Sequence, residues 1–140
     1  MRIRKSVLPL LLATALAIVV FVAASPAALP PGSYDKLKAE AQEKLTIKIT
    51  GVEKKEQNDR RLDVLFTAEV LAVERSKTHL KPGDTIKIQS YRWTKSYAGP
   101  KNPPLLPVGW SGIAYLNKTA ENTDNVYTLA AYGASFEESQ

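Results

Sequence analysis

The sequence RLDVLFTAEVLAVER at residues 61–75 alternates apolar and polar side chains, and TIKIQSYRW at 85–93 does so again after the turn LKPGD at 80–84. Successive side chains of a β-strand point to opposite faces, so this period of two indicates strands with one buried face. The buried face of the first segment is predicted to hold Leu62, Val64, Phe66, Ala68, Val70 and Ala72. Pro82 and Gly83 suit the two central positions of a type II turn. Together the segments predict a long antiparallel hairpin.

Three further strands and one helix are expected around this hairpin. The strands are predicted at 45–50, 109–116 and 126–136. The helix is predicted at 34–44 with Ser33 as its N-cap, and Gly51 indicates a bulge or a bend after the first strand. Five strands without βαβ alternation favour a mainly β fold, a small five-stranded antiparallel OB-like Greek-key barrel with one N-terminal helix. A flat sandwich is the alternative.

The first 24 residues have the three parts of a secretory signal peptide. The basic start MRIRK precedes an almost wholly apolar run of 18 residues at 7–24, which ends in small residues. Cleavage after Ala24 and cleavage after Ala27 both fit. An uncleaved membrane anchor is the alternative, because such a run is just long enough to cross a bilayer. Either outcome predicts a secreted or periplasmic folded part.

The pattern divides the chain into four segments. They are a signal peptide at 1–24, a Pro-rich spacer at 25–33, a single OB-like β-barrel domain at 34–136 and a frayed tail at 137–140.

The basic bias of the chain comes mainly from its first residues. The net charge is +5, but Arg2, Arg4 and Lys5 lie in the acid-free first 24 residues, so the remainder has 16 basic and 14 acidic side chains. A net charge of +2 with mixed signs gives little support to nucleic-acid binding. The chain has no cysteine, which excludes disulfides, thiolate nucleophiles and cysteine-based zinc sites.

Four features follow one another between about residues 45 and 136: FTAEVLAV at 66–73, the Pro-Gly-Asp turn, the strand ending at Asn117 and YTLAAY at 127–132. In this order they resemble the netrin-like module of tissue inhibitors of metalloproteinases. The resemblance implies an extracytoplasmic OB-type binding domain without catalysis of its own. The inhibitors place an N-terminal cysteine on the zinc of the enzyme. Because this chain has no cysteine, neither that mechanism nor the disulfides of the family can apply.

Catalytic and metal-binding patterns are missing from the sequence. His79 is the only histidine and is predicted to lie exposed in a turn, where it lacks the partners that a serine triad or a histidine zinc site needs. The glycines are isolated, so no phosphate-binding loop is predicted. We therefore expect a non-enzymatic protein without a cofactor.

Aromatic and basic side chains collect around a Pro-rich loop after the third strand. The predicted binding residues are Tyr91, Arg92, Trp93, Tyr97 and Trp110. OB barrels hold single strands, glycans or extended peptides on surfaces of this kind. The alternative is that Tyr91 and Trp93 close one end of the barrel. We expect an exported module that binds an unknown protein, peptide or envelope component through 91–110, with a nucleic-acid or glycan binder as the alternative.

Overall fold

The computed structural model describes residues 29–120 and 125–139. The predicted signal peptide and residues 25–28 of the spacer lie outside this range. No helix within it is long and apolar enough to cross a membrane. The elements are α1 (Ser33–Glu40), β1 (Glu43–Glu56), β2 (Arg61–Ser76), β3 (Thr85–Trp93), β4 (Ser111–Lys118), β5 (Val126–Leu129), a short 3-10 helix (Tyr132–Ser135) and β6 (Phe136–Glu138).

Five of the strands close into a barrel in the order β1-β2-β3-β5-β4, and β4 pairs with β1 to complete the ring. The predicted five-stranded OB-like barrel is confirmed, but its strands are not all antiparallel, since β3 and β5 run parallel. Strands in a closed antiparallel ring must alternate in direction, which requires an even number of strands. A ring of five therefore contains at least one parallel pair.

The fifth strand is shorter than predicted. The segment 126–136 was expected to be one strand, whereas β5 ends at Leu129. The chain then leaves the β5 direction, because the Ala131 N–H donates to Ser135 Oγ at 2.8 Å and the 3-10 helix begins at Tyr132. The predicted frayed tail is also corrected, because Glu137 and Glu138 pair with β4 as part of β6.

Three bulges bend the long hairpin of β1 and β2. In β1 the bulge falls at Thr50, between the pairs Ile49↔Ala68 and Gly51↔Thr67, which confirms the irregularity predicted at Gly51. In β2 the extra residues are Leu71 and Glu74. Each bulge moves the alternation by one position. Ala72, predicted to be buried, is therefore exposed, and Val73 packs against the core instead.

The turn before β3 agrees with its prediction, whereas the start and the end of α1 do not. Gly83 has a φ of 95°, and the Asp84 N–H donates to the Lys81 carbonyl at 3.0 Å, as a type II turn requires. The predicted N-cap Ser33 is wrong, because Gly32 precedes the helix and Ser33 is its first residue. The helix also ends at Glu40, four residues early, because β1 begins at Glu43.

The barrel interior is filled by apolar side chains from all five of its strands. Its largest fully buried members include Tyr127, Phe66, Leu45, Ile47, Ile49, Ile86, Ile88 and Leu116. Because alternate residues of β2 and β3 fill this interior, the residues between them are left on the outer surface. That surface carries Tyr91 and Trp93, two of the three predicted binding residues of β3.

Candidate binding site

An arginine and three aromatic side chains form a cluster on the outer face of β2 and β3. The pairs Arg61↔Trp93 and Asp63↔Tyr91 bring these side chains together across the two strands. The Arg61 guanidinium lies 4.6 Å from the ring centroid of Tyr91 and 5.5 Å from that of Trp93. The Trp93 ring is 5.2 Å from the ring of Tyr97. We call Arg61, Tyr91, Trp93 and Tyr97 the aromatic cluster; all four are partly exposed.

The sequence prediction did not include Arg61. Its Nε donates to Asp63 Oδ1 at 3.2 Å, which helps to hold the guanidinium over the aromatic rings. The signal that would have found it is the strand register, since Arg61 and Trp93 are the first and last residues of strands joined by a turn. The register of β2 with β3 depends on the turn at 81–84 and on the lack of a bulge where these two strands pair.

Arg92 is not part of the aromatic cluster but helps to hold the loop beside it. Its Nη1 donates to the carbonyl oxygen of Pro103 at 2.8 Å, which ties the Pro-rich loop to β3. The side chain of Asn102 binds the main chain of Trp93 at both the N–H and the C=O, at 3.0 and 2.9 Å. The Tyr97 hydroxyl donates to the Pro100 carbonyl in the same loop. These bonds give the aromatic cluster a fixed frame.

Trp110 lies apart from this cluster in its ring contacts. Its ring is 5.9 Å from that of Phe136, in an edge-to-face arrangement with an interplanar angle of 81°, and it packs against the hydrophobic core. The Trp110 carbonyl accepts from the Ile49 N–H at 2.8 Å. Of the five predicted binding residues, the structure thus brings together Tyr91, Trp93 and Tyr97 and places Trp110 in barrel packing.

Two surface grooves meet at the aromatic cluster. The first, of about 500 Å³, runs between the end of β1 and the β2–β3 pair and is lined in part by Lys54 and Leu65. The second, of about 250 Å³, lies where β5 separates from β3 and is lined in part by Tyr91 and Tyr132. We call the second the β3–β5 groove. Both grooves are lined by Arg61, so they are neighbours on one surface.

Tyr132 enters the β3–β5 groove with a strained backbone. Its φ is 51°, in the left-handed region, and its side chain is 38% exposed. For a bulky L-residue this conformation costs about 1 to 2 kcal/mol. Strained residues of this kind concentrate at binding and active sites, where surrounding contacts hold them in place.

Burial affects the pKa of two tyrosines in the aromatic cluster, Tyr91 and Tyr97. Burial raises the pKa of Tyr91 above its ordinary value, and the neighbouring Tyr97 and Tyr132 raise it further, against a smaller lowering by Arg61. Burial also raises the pKa of Tyr97. Two of the basic groups nearby are paired with acids, Arg61 with Asp63 at 3.2 Å and Lys95 with Asp59 at 3.1 Å. The surface therefore offers stacking and hydrogen bonding rather than a strong positive field.

The described residues contain no group of three or more His, Asp or Glu side chains that could hold a metal ion. His79, the only histidine, is exposed in the turn between β2 and β3. No protein-family model matches the chain, and comparison with curated proteins finds no match either.

Proposed function

We propose that this protein is an exported, non-enzymatic binding module that holds an extended polypeptide segment against the aromatic cluster. The observation that carries the proposal is the stacking of Arg61 on Tyr91 and Trp93 at the outer face of β2 and β3. OB-type barrels use this strand pair and its adjoining loops to hold ligands. Export is supported by the sequence of residues 1–24.

Three properties of the cluster support binding. Its rings are only partly buried, so they leave apolar area for a partner to cover. Aromatic and arginine side chains are the commonest energetic centres of protein interfaces. The loop behind them is held by the Asn102 and Arg92 hydrogen bonds, so little conformational entropy is lost on binding. The OB-like barrel also supports the netrin-like resemblance, which we retain as part of the proposal.

Nucleic acid is the alternative ligand, because bases also stack on exposed rings. The ion pairs of Arg61 with Asp63 and of Lys95 with Asp59 speak against it, since phosphate binding relies on uncompensated positive charge. A glycan is a further alternative for the same aromatic surface.

The test is capture of a partner from an envelope fraction by the protein and its Trp93→Ala variant, read by mass spectrometry. We expect Trp93→Ala to weaken capture at least about tenfold, as loss of an interface aromatic does. Val108→Ala is the matched control, because Val108 is 63% exposed in the same loop and makes no part of the cluster. Equal capture by the wild type and Trp93→Ala, with both folded by circular dichroism, would contradict the proposal. Oligonucleotide binding that falls steeply with salt would favour nucleic acid instead.

A further inference from the structure

The two edges of β3 are paired to different extents. On one side β2 pairs with β3 along its whole length, from Glu69↔Thr85 to Arg61↔Trp93. On the other side β5 pairs only with Lys87, Ile88 and Gln89. The last four residues of β3 therefore have a strand on one side only.

The direction of each main-chain group follows from the alternation along β3. The Lys87 N–H donates to the Asn125 carbonyl, so odd-numbered residues direct their main-chain groups toward β5. The Thr94 N–H donates to the Arg60 carbonyl on the other side, as expected for an even-numbered position. At Trp93 the β5-side groups are bound by the side-chain amide of Asn102. This amide replaces the peptide unit of a neighbouring strand.

Tyr91 lies between these two bound positions. The pairing with β5 ends at Gln89↔Thr128, and the Ala131 N–H donates to Ser135 Oγ at 2.8 Å rather than to β3. The main-chain N–H and C=O of Tyr91 therefore face the β3–β5 groove, which Tyr91 itself lines. Among residues 29–120 and 125–139, the Tyr91 carbonyl accepts one long bond of 3.5 Å from Ser90 Oγ, and Tyr91 has no partner in the pairing of β3 with β5. A buried or half-buried main-chain pair of this kind favours a partner with one donor and one acceptor.

The side chains around the β3–β5 groove indicate which groups of that partner could bind there. Among the described residues, Arg61 is the only charged one in its lining, and its Nε is already paired with Asp63 Oδ1 at 3.2 Å. The two Nη groups of Arg61 remain as donors, so the groove offers a ligand carboxylate hydrogen bonds rather than a net positive charge. The strained Tyr132 stands opposite β3 in the same lining, as a ring that a ligand would contact.

We propose that the β3–β5 groove binds one peptide unit of an extended, acidic polypeptide, main chain to main chain at Tyr91. The ligand N–H donates to the Tyr91 carbonyl and the ligand carbonyl accepts from the Tyr91 N–H, as the Asn102 amide does at Trp93. A carboxylate of the ligand lies against Arg61. This inference rests on the proposed function and names the chemistry by which the same surface recognises its partner.

The first experiment is a titration of the isotope-labelled full chain with the peptide acetyl-Ala-Glu-Ala-amide, followed by the amide resonance of Tyr91. We expect this resonance to shift when the peptide binds. In the free protein the Tyr91 amide should exchange its hydrogen faster than the Gln89 amide does, and binding should slow this exchange. The same peptide methylated on the glutamate nitrogen should bind at least about tenfold more weakly, because it has lost the donor. The peptide with lysine in place of glutamate should also bind more weakly.

Variants separate this inference from the proposed function. Tyr132→Gly keeps the fold, because glycine accepts the positive φ, and should weaken binding of the glutamate peptide. If Trp93→Ala abolishes binding while methylation has no effect, the proposed function stands and main-chain recognition at Tyr91 is refuted. If diacetylchitobiose shifts the Tyr91 resonance and the peptide does not, the ligand is a glycan and the peptide inference is refuted. Slow exchange of the Tyr91 amide in the free protein would also refute it.

Discussion

Glu43 is expected to be a main determinant of stability, although it lies outside the candidate site. It is a fully buried carboxylate at the start of β1. One oxygen accepts from the Ser76 hydroxyl at 2.9 Å and from the N–H and hydroxyl of Thr78, and the other accepts from the Lys77 N–H at 2.8 Å. The carboxylate therefore holds the chain where it leaves β2.

The change Glu43→Gln removes the charge with little change of shape. A glutamine offers one acceptor oxygen, so its NH₂ group must face either the Lys77 N–H or the Ser76 and Thr78 donors. A buried donor left without an acceptor costs about 1 to 3 kcal/mol, and the remaining bonds lose their charge-assisted share. We expect the free energy of unfolding to fall by about 3 kcal/mol. For a domain of this size that corresponds to a midpoint lower by about 10 °C.

Thermal and urea denaturation followed by circular dichroism measures this loss. Glu74→Gln is the matched control, because the Glu74 side chain is 65% exposed and pairs only with Lys44 across the surface. We expect its unfolding midpoint to equal that of the wild type. A Glu43→Gln variant as stable as Glu74→Gln would refute the argument that the buried carboxylate secures the end of β2.

Two further predictions concern the loop anchor and the alkaline limit of stability. In Gly133→Ala the new Cβ would lie 2.5 Å from the Asn102 carbonyl oxygen and 2.6 Å from that of Lys101. We therefore expect the free energy of unfolding, measured in urea, to fall by about 2 to 3 kcal/mol. An unchanged unfolding midpoint would contradict this close contact. Burial raises the pKa of Tyr127 above its ordinary value of 10, and the nearby Glu43 and Asp84 raise it too. The hydrogen bond with Thr78 lowers this pKa but does not cancel the rise. As the pH rises, the Tyr127 phenol therefore loses its proton later in the folded state than in the unfolded state. The stability that the protonated phenol contributes is fully present below pH 10 and is lost as the pH rises through the pKa of the folded state. Thermal midpoints from about pH 8 to about pH 11 should therefore fall less steeply for Tyr127→Phe than for the wild type, and parallel curves would contradict the assignment.

The barrel was predictable where local signals and burial agree. β3 was predicted to begin at Thr85 and to end near Trp93 or Lys95, and it ends at Trp93; Pro82 and Gly83 set the turn before it, and the alternation runs unbroken to Trp93. The end of β5 was not predictable, because it depends on the 3-10 helix that begins at Tyr132, where the φ of 51° is not indicated by the residue type. The burial of Ala72 was mispredicted for a related reason, since nothing in its own neighbourhood reveals the bulge at Leu71.

The candidate site was predictable only in part. Tyr91 and Trp93 are two residues apart on one strand, so their common face follows from the period of two. Arg61 is 32 residues from Trp93 in the sequence, and its place over the rings requires the register of the hairpin. Trp110 resembles the other aromatic residues in sequence, and only its contact with Phe136 reveals its packing role.

The 3-10 helix after β5 links these separate features of the site. Because β5 ends at Leu129, Tyr91 has no strand partner on that side of β3 within the described part of the chain. Further along the chain, the Gly133 N–H donates to the Lys101 carbonyl at 2.9 Å. That bond fixes the neighbouring Asn102, whose amide occupies the β3 edge at Trp93. The open edge is thus bounded by β5 on one side and by Asn102 on the other. A ligand can add one peptide unit there but cannot extend the sheet, which protects the protein against edge-to-edge association.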